Sequence, residues 1–168
     1  MGKIIQLFNK MGENTMVSIF DVANYFISRA QVEEESIITP LKLQKLCYYA
    51  KAWSLVWDNN PLFNEDFQAW AHGPANYDLF KRYQDHRFHP ITEVDDDFDS
   101  SIFTDEELET LDAVWDAYGI YDGKYLEQLT HSERPWKDAR GDCAPGERCN
   151  TVIETCAMRE YYLSLQDE

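Results

Sequence analysis

The sequence predicts a mainly α, compact single-domain fold of six or seven helices with at most a small short-stranded β element. Three observations carry this expectation. Apolar residues recur at helical spacing in several segments, and residues suited to capping stand just ahead of them. Extended character is confined to short stretches, one before Gly73-Pro74 and one near Ile91–Val94. The chain has 168 residues, 44% of them hydrophobic, which is enough for one well-filled core and no more than one domain of ordinary size.

From Ser18 the pattern is regular: Ser18 with Asp21 is a capping pair, and Ile19, Val22, Ala23, Phe26, Ile27 and Ala30 follow at helical spacing. Glu33, Glu34 and Glu35 read as a solvated connection. The next segment, Thr39 to Trp57, is the organising helix. Thr39 is suited to its N-cap, and Pro40 to the first helical position, where a missing N–H costs nothing. One apolar stripe contains Leu43, Leu46, Cys47, Ala50, Trp53 and Trp57, and a second contains Leu41, Tyr48, Ala52 and Leu55. A surface helix needs a single stripe, so two stripes predict a central helix with partners on more than one side. Gln44 and Lys51 fall on one polar side, and Lys42, Lys45 and Tyr49 on the other.

After a turn at Asp58–Pro61, a short extended segment is expected to end at Trp70, with Gly73-Pro74 breaking it and a helix following over Ala75–Tyr83. The stretch from Gln84 to Ser101 is irregular and acidic. Thr104 and Glu107 form a capping box ahead of a helix that places Leu108, Leu111, Trp115 and Tyr118 on one face and stops at Gly119. A shorter helix is expected over Tyr125–Leu129, another from the Pro135 region to Arg140, and a last one over Thr151–Leu163 with Val152, Cys156 and Leu163 facing inward. Residues 1–15 form an N-terminal extension to a domain over 16–168. Either Ile4, Ile5, Leu7 and Phe8 make a docking segment, or Met16 is the working start.

Charge limits the partners. With 31 acidic against 15 basic residues the formal charge is −16, a field that repels phosphate backbones and argues against direct nucleic-acid binding. The same field favours a basic protein partner or simply keeps the chain in solution. Cys47, Cys143, Cys149 and Cys156 lack the paired short spacing of a zinc site. No signal peptide and no run of 18 apolar residues is present, so a cytoplasmic protein with reduced thiols and no membrane association is expected.

The residues that invite a chemical reading each have a plainer one. His86 and His89 lack a third ligand, and no metal site is expected. His72 sits at the sharp Gly73-Pro74 break, where a structural hydrogen bond serves as well as a catalytic role. Thr130-His131-Ser132-Glu133 contains nucleophile, base and carboxylate in sequence, but catalytic groups normally converge from separate elements. Here a cap, a helix-starting Pro135 and an anchoring Trp136 explain the same residues. No phosphate-cradling glycine loop, HExxH helix or G-x-S-x-G elbow occurs, so neither an enzyme nor a cofactor is expected. Five Trp and ten Tyr exceed the needs of a small core and are residue types favoured at interface hot spots. Tyr49 between Lys42 and Lys45 makes either a cationic-aromatic recognition patch or a lysine pair snorkelling over a ring.

Together these segments resemble a known family. Thr39-Pro40-Leu41-Lys42-Leu43-Gln44-Lys45-Leu46 with Tyr48-Tyr49-Ala50 resembles the opening helix motif of the Panacea domain, the domain of SocA-like antitoxins and GepA-type phage-associated proteins. Ala69-Trp70 with His72-Gly73-Pro74, then a helix ending in an aromatic such as Tyr83, resembles its second motif. Leu129-Thr130-His131-Ser132-Glu133 with Pro135-Trp136 resembles its third, and Tyr161-Tyr162 its tail. The resemblance spans about residues 16–165, with the motifs in order.

It implies an antitoxin of a bacterial or phage toxin–antitoxin pair, neutralising a cognate toxin protein mainly by direct binding. An alternative is a proteolytic adaptor delivering the toxin to an AAA+ protease; a third is a hydrolase reversing a toxin's modification through His131 or His72 with Glu133. The chain lacks a separate DNA-binding segment, so transcriptional self-control is not expected of it. The partner-binding candidates are Lys42, Lys45 and Tyr49 on the exposed side of the central helix, with Trp70, His72, His131, Glu133 and Trp136 on the turns.

Overall fold

The computed structural model describes residues 16–33 and 36–166, so the expected extension over 1–15 and the acidic pair Glu34 and Glu35 lie outside the described residues. The described residues form seven α-helices and one two-stranded antiparallel sheet. In chain order these are α1 (Ile19–Val32), α2 (Pro40–Trp57), β1 (Gln68–Trp70), β2 (Gly73–Ala75), α3 (Tyr77–Tyr83), α4 (Asp105–Tyr118), α5 (Gly123–Ser132), α6 (Arg134–Arg140) and α7 (Thr155–Gln166). No helix among them is long and apolar enough to cross a membrane.

The capping signals act where the sequence puts them. Ser18 Oγ accepts from the Asp21 N–H at 3.2 Å, and Asp21 accepts from the Ser18 N–H at 2.8 Å, closing the box at the head of α1. Thr104 and Glu107 do the same for α4, and Thr39 caps α2 with Pro40 in its first turn. Each such cap satisfies helix-end donors otherwise left unpaired, a stabilisation of ~1 kcal/mol.

Helix α2 is the centre of the molecule: α1, α3, α4, α5, α7 and β2 all pack on it. Every residue from Lys42 to Ala52 is buried, which three consecutive turns of helix permit only with neighbours all round. The two-stripe reading therefore holds, but the polar sides between the stripes are not exposed. Close approach is built into the sequence at Gly123, where an added Cβ would stand 3.0 Å from the Lys42 nitrogen and 3.2 Å from the Leu41 side chain.

Three expected elements differ. The segment around Ile91–Val94 forms no strand; it is pinned by single hydrogen bonds, including Ile91 N–H to Ile38 O at 2.7 Å. The Gly73-Pro74 break is instead the return strand of a hairpin, with Gln68 opposite Ala75, Ala69 opposite Pro74 and Trp70 opposite Gly73. On its other edge β1 is covered by the stretch before α7: Ala69 N–H donates to Thr151 O and Ile153 N–H to Phe67 O, both at 2.8 Å. That pairing holds residues 151–153 extended and delays the last helix to Thr155. As a result Val152 and Cys156 are exposed and Leu163 is only partly covered, while Met158 and Tyr162 face the core.

Candidate functional site

Four residues expected on an exposed surface are inside the protein. Lys42, Lys45, Tyr49 and Glu133 are all buried, Lys45 to 1% exposure. Each lysine runs its apolar stem through the core and ends on a backbone carbonyl of a neighbouring element. Lys42 Nζ donates to Gly119 O at 2.5 Å and lies over the Trp115 ring. Lys45 Nζ donates to Pro74 O at 3.1 Å, and Lys51 Nζ to Glu65 O at 2.6 Å. An ammonium taken from water needs such acceptors, because its desolvation is otherwise uncompensated. Burial nevertheless drives the Lys45 ammonium down to about 7, against the opposing field of Glu127.

Around Lys45 the separate sequence motifs meet. Gly73 has φ +103°, and an added Cβ would fall 2.5 Å from Lys45 Cε and 2.9 Å from Thr130 Oγ1. Only glycine tolerates both the dihedral and the crowding. Gln44 holds the end of the hairpin with two hydrogen bonds to the Asn76 backbone, both 2.9 Å. From the third motif, Trp136 Nε1 donates to Trp70 O at 2.8 Å, and the His131 ring stacks on Trp136 at 3.9 Å. Burial lowers the His131 pKa, which favours the neutral form of the ring.

A second cluster lies beside it. Tyr49 and Tyr162 both donate hydroxyl hydrogens to Glu133 Oε1, at 2.7 and 2.9 Å, and Tyr162 reaches Tyr48 at 3.2 Å. Tyr49 stacks on Tyr118 at 4.0 Å, and Tyr118 accepts from Trp53 Nε1. Burial pushes the Glu133 carboxyl up to about 7, although the two tyrosine hydroxyls pull the other way. Glu133 is therefore committed to tyrosines and not to His131 or His72.

The carboxylate beside His72 is Glu127, which the sequence did not single out. His72 Nδ1 lies 2.7 Å from Glu127 Oε1, and Lys124 Nζ lies 3.1 Å from Oε2. Burial pushes the Glu127 carboxyl up, but the hydrogen bonds from His72 and Lys124 outweigh it and hold the group below its ordinary range.

Above this floor opens a cavity of about 760 Å³ between α2, the hairpin, α3 and the loop before α7. Leu43, Leu79 and Ala75 form its apolar wall, and Lys45, His72 and Glu127 stand at one end. Trp70 meets Phe80 edge to face at 5.4 Å and Tyr77 at 6.5 Å. The rim carries aromatic rings that face water: Tyr77 is 52% exposed, Phe80 42% and Phe88 90%.

The eight sequence candidates thus divide. Trp70, His131 and Trp136 are half-buried and His72 is exposed, so these four can reach a partner. Lys42, Lys45, Tyr49 and Glu133 support the site from beneath. Tyr77 and Phe80 were missed as interface residues because a helix turn carrying aromatics reads as core until the fold leaves it open, and Phe88 because it lies in the stretch read as irregular and acidic.

A family model described as Antitoxin SocA-like, Panacea domain, matches residues 43–137, more than half of the chain. The span begins on α2 and ends within α6, and it contains the hairpin with Trp70 and the three rim aromatics. No curated protein and no solved structure matches the chain.

Proposed function

The chain belongs to the SocA-like, Panacea-domain antitoxin family, and on that premise we propose that it neutralises a cognate toxin protein by direct, non-enzymatic binding through the face that carries the aromatic cleft. The observation that supports this most is the run of Trp70, Tyr77, Phe80 and Phe88 along one rim. Soluble proteins rarely leave contiguous apolar rings in water without a use for them, and Trp and Tyr are the residue types that dominate binding hot spots. The chain's net charge of −16 speeds encounter with a basic toxin. The setting is the cytoplasm of a bacterium, within a toxin–antitoxin pair of bacterial or phage origin, with the cysteines reduced.

The test is co-expression with the product of the neighbouring gene, followed by purification without added nucleotide or protease. A stoichiometric complex with loss of toxicity is the expected result. Rescue that leaves no complex and disappears in a host lacking its AAA+ proteases would overturn direct neutralisation in favour of delivery for degradation. Rescue by substoichiometric amounts, abolished by His72→Ala in a folded protein, would do the same in favour of an enzyme.

A further inference from the structure

The chemistry of the cleft points to the kind of segment that occupies it. On a chain with 31 acidic and 15 basic residues, the cleft reverses the balance among the described residues: Arg87, Lys124 and Arg148 line it, with Lys45 buried in its floor, against the carboxylate of Glu127. That carboxylate already has His72 and Lys124 as partners, so the excess charge facing the cavity is positive. The walls beside these cations are apolar and aromatic. An occupant matched to both is apolar and negative at once.

Its size follows from the rim. The cavity is within the range of roughly 300–1,000 Å³ that holds a small ligand, but Phe88 is 90% exposed and stands at its edge. Arg87, immediately before it, has φ +54° and ψ −106°, a backbone conformation that non-glycine residues rarely adopt. Residues held this way at a binding edge are commonly held for a purpose. A ligand confined to the cavity would leave the Phe88 ring in water. An occupant that covers it has to extend beyond the concavity, as a polypeptide does. A nucleic-acid strand is disfavoured, because the chain's overall charge of −16 opposes a polyanion.

We propose that the cleft takes a segment of the toxin in which a large apolar side chain stands next to a carboxylate. The apolar group lies among Trp70, Tyr77 and Phe80, and the carboxylate meets the guanidinium of Arg148, which lines the same cleft. This rests on the reading of direct neutralisation and specifies its contact.

The experiment is isothermal titration of the purified neighbouring-gene product, inactivated in its own active site, into this chain and its variants. Phe80→Ala with Phe88→Ser is expected to weaken binding at least ~30-fold, the loss typical of a hot-spot pair. Arg148→Glu is expected to weaken it ~10-fold with a shallower salt dependence. Ile120→Ser, an exposed apolar residue outside the cleft, should bind as the native chain does. Overlapping synthetic peptides covering the toxin then locate the segment, and replacing its Asp or Glu by Lys should restore binding to Arg148→Glu. If the native chain binds the toxin and both cleft variants bind within twofold of it, the cleft is not the contact and the proposal falls while direct neutralisation stands. If the native chain does not bind, both fail. Far-ultraviolet circular dichroism and thermal melts of each variant separate a lost contact from a lost fold, and all four substituted side chains are exposed.

Discussion

Protonation of Glu133 should make stability fall as pH rises through the near-neutral range. The folded-state carboxyl is raised from an ordinary 4.5 to about 7 by burial. A group whose folded pKa exceeds its unfolded value contributes stability that is fully present below the unfolded value. That contribution is lost as pH climbs through the folded one. The window is therefore about 4.5 to 7, and at 1.36 kcal/mol per unit the whole effect is on the order of 3 kcal/mol. At 5% exposure Glu133 is screened little by water. Other groups titrate nearby with the opposite sign. Lys45, lowered from 10.5 to about 7, contributes stability that is lost as pH falls between those values, and His131, also lowered by burial, weakens the fold on acidification. The measurement is accordingly a difference: urea unfolding of the native chain and Glu133→Gln from pH 4.5 to 8. Glutamine keeps an oxygen for Tyr49 and Tyr162 but cannot ionise, so the variant should gain on the native chain by roughly 2–3 kcal/mol across the range. Parallel pH profiles would refute the reasoning, because they would mean that the carboxyl titrates alike in both states.

Gly73→Ala should destabilise the fold by roughly 2 kcal/mol or more, since the added methyl meets Lys45 and Thr130 at a φ of +103°; chemical denaturation reads this directly. Tyr49→Phe removes one donor from Glu133 while Tyr162 retains the other. We expect a loss of about 1–2 kcal/mol and a further rise of the Glu133 pKa, visible as a shift of its stability transition to higher pH. Lys45→Met should remove the Lys45 share of the pH dependence between about 7 and 10.5, leaving that of Lys42 and Lys51, also lowered by burial. Its net cost should be small, because replacing a buried charge by an apolar group of similar shape removes the desolvation penalty along with the Pro74 contact.

The helices were legible because their signals are local. Ser18 with Asp21, Thr39 with Pro40 and Thr104 with Glu107 announce helix starts within four residues, and each forms the bond that the spacing implies. What was not legible depended on partners distant in the chain. Lys42, Lys45 and Lys51 were placed on polar sides by charge alone. Their burial depends on Gly119, Pro74 and Glu65 carbonyls, which no helical periodicity reveals. The start of α7 was misplaced for the same reason, since Thr151 and Ile153 are kept extended by the edge of β1. Glu127 carried no signal at all. It became part of the site only when the hairpin turn brought His72 beside α5.

The motifs by which the family is recognised and the surface by which a toxin would be recognised overlap at Trp70 and His72, but most of the motif residues lie beneath that surface. Gln44, Lys45 and Tyr49 from α2, Gly73 and Pro74 from the hairpin, and Thr130 and Glu133 after it are buried and bonded mainly to one another or to each other's backbones. They fix one packing of α2, α5 and the hairpin whatever the partner is. The side chains of Tyr77, Phe80, Phe88 and Arg148 are exposed at the cleft and take no part in those buried hydrogen bonds. On the proposed reading, a single scaffold would be fitted to unlike toxins by changing its edge. The consequence is testable by transplantation between two family members with different toxins. Exchanging only the residues aligned with Tyr77, Phe80, Phe88 and Arg148 should move toxin preference at nearly unchanged stability. Exchanging motif residues that differ between the two should lower stability and leave preference alone. If preference follows the buried motif residues instead, specificity resides in the packing of α2 and not at the cleft.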